Sequence, residues 1–204
     1  METNEKVMTP EESLKIIQRS ILTSRKNMRS GSFYFLLWGW ILLLSSLLCY
    51  FVLRYLHQHE IYEGMYWKSL LCWTVPIGIG FIIQWIYKRR QRDLELVKTH
   101  IDRYLTIIWV AGGITFALML PICFQLDVYP TPFILAEVGL ITFISGMMIR
   151  FTPIVIGGIV FTIAGVVSSY LTGLPQLLVF AISILPGYLL PGYLLRMSNS
   201  KNNV

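Results

Sequence analysis

Apolar and polar positions fall in long blocks along this chain. Six runs of mostly apolar residues, at 33–53, 67–87, 104–124, 133–149, 153–170 and 174–195, are separated by short polar or charged segments. A helix of about 20 apolar residues crosses the hydrocarbon core of a bilayer, and inside that core the backbone must satisfy its own hydrogen bonds. The pattern predicts an all-α polytopic transmembrane bundle of six spans. Residues 32–196 form the membrane domain, 1–31 a cytosolic N-terminal segment and 197–204 a short cytosolic tail.

A different periodicity precedes the first span. Thr9-Pro10-Glu11-Glu12 reads as a helix start, with Thr9 as cap, Pro10 at the first helical position and Glu12 closing a capping box. Leu14, Ile17, Ile21 and Met28 recur at helical spacing, interleaved with Lys15, Arg19, Arg25, Lys26 and Arg29. This predicts an amphipathic basic helix that lies on anionic lipid head groups or docks a cytosolic partner protein. Gly31 and Ser32 offer a bend into the first span. The loop between spans 2 and 3, with Lys88, Arg89, Arg90 and Arg92, carries a second helical stripe of Leu94, Val97, Ile101 and Leu105.

Charge sets the orientation. Of the 17 Lys and Arg residues, 15 fall in the N-terminal segment, the loops after spans 2 and 4, and the C-terminal tail; the other side holds only Arg54 and Lys68. Cytoplasmic loops carry the excess of Lys and Arg, so both termini are expected in the cytoplasm of a plasma (inner) membrane. Trp38, Trp40, Tyr188 and Tyr193 are among the aromatic residues expected at the inner boundary. The polar start of the chain lacks the short apolar core of a cleavable signal, so the first span is expected to be a permanent anchor. With 55% hydrophobic and 14% charged residues and a mean hydropathy of +0.61, little is left for a soluble domain, soluble domains being about a quarter charged. The net charge of +6 reads as topology and attraction to anionic lipid, with no nucleic-acid partner.

Glycine and proline punctuate the spans. Gly112, Gly113, Gly157, Gly158 and Gly165 permit close helix approach. Two prolines in Leu185-Pro186-Gly187-Tyr188-Leu189 and Leu190-Pro191-Gly192-Tyr193-Leu194 each remove a helix hydrogen bond. They predict a kink or unwound stretch, with Pro186, Gly187, Pro191 and Gly192 as a hinge. Thr74-Val75-Pro76-Ile77-Gly78 in span 2 echoes Thr152-Pro153-Ile154-Val155-Ile156-Gly157 in span 5, the relation two inverted three-span halves would have.

Groups able to do chemistry are few. Glu137, about five residues into span 4, is the sole ionisable residue deep in a span, and such groups are costly enough to suggest function. At about 7 Å below the outer boundary, its carboxylate is expected to reach up to interfacial water; the alternative is a polar site for a cation, proton or polar solute, with Gln176, Arg54 or Lys68 as partner. His57, His59, Glu60 and Glu63 form a weak metal or pH-sensing candidate, with His59 and Glu63 sharing a face if the segment is helical, but four ligands at zinc-like spacings are not present. No metal or cofactor is expected. Cys49, Cys72 and Cys123 read as buried small hydrophobes, one disulfide being the alternative. No HExxH, GxSxG, P-loop or dinucleotide fingerprint occurs, and an enzyme is not expected.

The segment Arg29-Ser30-Gly31-Ser32-Phe33-Tyr34-Phe35-Leu36-Leu37-Trp38-Gly39-Trp40, behind a capped basic helix, resembles small bacterial inner-membrane proteins of unknown function. That resemblance implies a bacterial plasma membrane and no biochemical role. The expectation is a non-enzymatic regulatory or scaffold subunit that meets a partner protein or anionic lipid through its basic cytosolic helices. The alternatives are a small-solute or ion transporter or channel with its site near Glu137, and a membrane enzyme of unfamiliar type. A homo-oligomer is left open.

Overall fold

A computed structural model describes the backbone of residues 10–91 and 100–201, and side chains at 31–65, 67–90 and 103–197. Every regular element among these residues is helical: α1 (Pro10–Gln58), α2 (Met65–Gln91), α3 (His100–Gln125), α4 (Thr131–Ile149), α5 (Thr152–Ser169), α6 (Leu174–Ile184), a π-helical turn (Leu185–Leu189) and α7 (Leu190–Lys201). Six stretches are long and apolar enough to span a membrane: Gly31–Gln58, Trp67–Arg90, Arg103–Gln125, Thr131–Ile149, Thr152–Ser169 and Leu174–Met197. Each overlaps one of the six expected runs. The protein is a multi-pass helical membrane protein.

The expected bend at Gly31-Ser32 is not taken. α1 runs helical for 49 residues, about 74 Å at 1.5 Å per residue. The reason lies in packing. Ser32 is buried and its hydroxyl donates to the Gly192 carbonyl at 2.9 Å, while Gly31 faces Leu195. Both small residues seat α1 against α7 and do not act as a joint.

The helices pack in the order α2, α1, α6–α7, α5, α4, α3. α4 and α5 form the tightest pair. A Cβ on Gly158 would lie 2.5 Å from the Phe143 nitrogen and 2.7 Å from the Gly139 carbonyl oxygen, and one on Gly146 would lie 2.6 Å from the Val155 nitrogen. Backbone meets backbone here because the side chains have been removed. Among the described residues α2 packs its backbone on α1 alone and α3 on α4 alone. Half of the sixth span is buried, against 11% of α2 and of α3.

That asymmetry removes the inverted-repeat reading. α2 and α5 would be equivalent, yet α2 is peripheral and α5 central. Pro76 sits inside α2 and Pro153 in the first turn of α5, and Gly78 faces open space where Gly157 meets the Gly187 carbonyl.

Three helices end alike. The N–H of Ile61 bonds the Leu56 carbonyl and that of Glu60 the His57 carbonyl; Val128 and Asp127 repeat this on Cys123 and Phe124, and Phe151 and Arg150 on Gly146 and Met147. These are Schellman ends. The left-handed residue, usually glycine, is here Glu60, Asp127 or Arg150, with φ of 55°, 52° and 56°.

Candidate functional site

Tyr188 is the hub of the bundle. It is buried, and its ring meets Phe35 of α1 at 5.7 Å, Trp109 of α3 at 6.5 Å and Phe161 of α5 at 4.8 Å. Its hydroxyl accepts a hydrogen bond from Thr142 of α4 at 3.4 Å. The π turn carries it there. Pro186 has no N–H for the Ile182 carbonyl, which takes the Leu185 N–H instead, and Leu190 reaches back five residues to the Leu185 carbonyl. The extra residue in the turn lets Gly157 of α5 lie against Gly187, and Gly187 lie against the Phe161 ring. The kink expected at Pro186, Gly187, Pro191 and Gly192 is therefore a π turn followed by α7, with Gly187, Pro191 and Gly192 buried in helix contacts.

The expectation for Tyr188 is corrected: it is not a boundary residue but core, 3% exposed. Tyr193 stays at the surface and its hydroxyl accepts from Trp40 at 3.3 Å. Tyrosines five residues apart cannot share a helix face, and that spacing is the signal that one of them turns inward.

Glu137 lies half-buried on α4 where α4 meets α3. A Cβ on Gly112 would lie 3.7 Å from its Oε1 and would collide with Ile141. Gly112 is twelve residues from the start of α3 and thirteen from its end, about 18 Å and 20 Å. The carboxylate thus lies against the middle of α3, while Glu137 itself is six residues, about 9 Å, from the start of α4. Among the described residues it has no hydrogen-bond or ion-pair partner.

The partners expected for it are engaged elsewhere. Gln176 is buried at the α5–α6 corner and donates both amide N–H groups, to the Ser168 carbonyl at 3.1 Å and the Leu171 carbonyl at 2.7 Å. A primary amide has two N–H donors, so none remains for Glu137. Gln176 caps the end of α5. Arg54 is exposed on α1 and donates to the Tyr50 hydroxyl; Lys68 is exposed on α2 and donates to the Glu63 carbonyl. Among the described residues neither the α1 nor the α2 backbone packs on α4.

The histidine cluster does not assemble either. α1 ends at Gln58 and the chain reverses through Glu60, so His59 and Glu63 do not share a helical face. His57 packs edge-on to Tyr62 and His59 tilts against Tyr55. No group of three or more His, Cys, Asp or Glu residues able to hold a metal occurs among the described residues.

Of the basic residues, Lys88, Arg89 and Arg90 fill the last turn of α2, where cations suit the helix dipole, and Arg89 lies 4.1 Å over the Trp85 ring. Lys15, Arg19, Arg25, Lys26 and Arg29 lie on α1. Arg92, Leu94 and Val97 lie outside the described residues. Cys49, Cys72 and Cys123 are buried free thiols, Cys49 Sγ standing 3.7 Å from Ser69 Oγ. Sequence reasoning missed one further polar contact, Trp38 of α1 donating to Gln84 of α2 at 2.9 Å.

No protein-family model matches this chain, and neither do curated proteins or solved structures.

Proposed function

We propose that this protein is a non-enzymatic scaffold or regulatory subunit of a bacterial plasma membrane that meets a cytosolic partner through the projecting part of α1. Both termini are cytoplasmic in this reading, by the 15-to-2 division of Lys and Arg. The observation that carries it is the unbroken α1. Its apolar run begins at Phe33 and the helix at Pro10, so 23 residues, about 35 Å of helix, precede the apolar run. A helix lying on the lipid surface must turn sharply where it leaves the bilayer. Sharp turns in helices come from proline, Gly/Ser pairs or π bulges. The one such pair at this boundary, Gly31-Ser32, is locked against α7. A rod in water fits a protein partner better than a lipid surface. Lys15, Arg19, Arg25, Lys26 and Arg29 along it suit an acidic partner.

Two measurements test this. Nitroxide labels at Ser20 and Ser24 in anionic vesicles are expected to collide freely with a water-soluble quencher; protection by lipid overturns the rod. Cross-linking in cells followed by mild-detergent purification, with and without residues 1–28, is expected to yield a protein lost on truncation. Retention of every co-purifying protein overturns the docking role.

A further inference from the structure

We propose that the seam between α3 and α4 is a docking site for a transmembrane helix of a different protein, one carrying a lysine or arginine at mid-depth to pair with Glu137. This stands on a different observation from the α1 rod, and either can fail alone. The carboxylate faces the middle of α3, opposite Gly112, where none of the described side chains answers it. A charge at that depth is costly without a partner. Protonation removes the charge but still leaves a hydroxyl and a carbonyl without partners in hydrocarbon.

The surroundings suit a helix. Phe133 and Leu140, one turn to either side of Glu137 on α4, are exposed. α3 packs its backbone on α4 alone among the described residues, so most of its surface is bare. On it Gly113 and Ala117, four apart, are both exposed, and a Cβ on Gly113 would meet nothing within 4 Å. Small residues at this spacing let another helix approach closely.

Charge complementarity selects the occupant. A second copy of this chain does not fit, because none of its Lys or Arg residues lies deep in a span; every one that falls within a span, Arg54 included, lies within four residues of a span end. The cation must come from another protein. Lys and Arg inside spans are rare and pair with acidic groups, so one such residue at matching depth identifies the partner chemically.

The test uses the full chain, fluorescently labelled and reconstituted in phosphatidylcholine vesicles. The probes are synthetic helices of about 20 leucine and alanine residues with Lys, Leu or Glu at the centre, and energy transfer reports binding. The Lys helix is expected to bind about tenfold more tightly than the Leu helix. Glu137→Gln should erase that preference while leaving Leu-helix binding unchanged, which shows that the bundle is intact. Glu137→Lys should shift the preference to the Glu helix. The proposal is overturned if the Lys helix binds no better than the Leu helix, or if its advantage survives Glu137→Gln. It is equally overturned if two labelled copies of the chain associate more tightly than the chain and the Lys helix. The probes have no cytosolic part, so the outcome is independent of whether α1 docks anything.

Discussion

At the scale of single residues, the glycines divide by what stands opposite them. At Gly158 a methyl group would meet backbone atoms of α4 at 2.5 to 2.7 Å, and backbone cannot step aside as a flexible side chain can. We expect Gly158→Ala to cost about 3 kcal/mol, the upper range for overpacking, read as a lower midpoint of thermal unfolding in detergent. Gly78 and Gly113 face open space inside helices, so Gly78→Ala should stabilise by about 0.5–1 kcal/mol through helix propensity. Asp127 is the opposite case, a left-handed non-glycine at a helix C-terminus. Glycine there relieves about 1–2 kcal/mol of steric cost and removes an anion from the negative end of the dipole, at some cost in chain entropy. Asp127→Gly should gain about 1 kcal/mol in the same measurement. The sequence names these glycines, but not which of them meets a neighbour. Gly112 and Gly113 are adjacent and apolar-flanked, yet one is buried against Ile141 and the other bare, because successive helix positions point about 100° apart.

At the scale of elements, the sixth span shows how a helix defect places a side chain. The proline doublet predicts an interruption, and physical chemistry supplies the reason: each proline lacks an N–H. Its form, a π turn, depends on what the extra residue accomplishes, which is to bring Tyr188 between Phe35, Thr142 and Phe161. Tyr188→Ala should cost about 3–5 kcal/mol, as for a large buried aromatic. Tyr188→Phe keeps the ring and loses only the Thr142 bond, about 1 kcal/mol. A double-mutant cycle with Thr142→Val should show coupling of that size; additive effects would mean the bond contributes nothing. α1 teaches a related lesson. Its two sequence segments differ in composition and suggest two helices, but helix propensity does not stop at a change of composition, and the small residues at the junction are held by α7.

At the scale of the whole molecule, the arrangement is a central set of α1, α4, α5 and the sixth span, with α2 and α3 as outriggers. Exposed apolar side chains on those two, such as Trp67, Phe81 and Leu118, are what a lipid-facing or partner-facing helix presents. The orientation can be checked directly because the native thiols are buried. Thr152→Cys and Thr172→Cys stand at opposite ends of α5 and both are exposed. With cytoplasmic termini, an impermeant maleimide should label Thr172→Cys in intact cells and Thr152→Cys only after permeabilisation; the reverse pattern would invert the topology.

By itself the sequence determined the class, the six spans to within a turn or so, and the place of the break in the last span. Those features depend on local quantities: the length of an apolar run against bilayer thickness, and the missing N–H of proline. Which helices touch was decided only by the tertiary structure. In an apolar chain nearly every face is sticky enough to pack, and hydrophobicity does not distinguish neighbour from lipid. Glu137 was legible as an exception to the apolar pattern. That it faces Gly112 at the middle of α3, while Gln176 serves the end of α5, depends on helix offset and rotation. Those are fixed by steric fit among glycines, Tyr188 and Phe161, and steric fit between distant segments leaves no periodic mark on the chain.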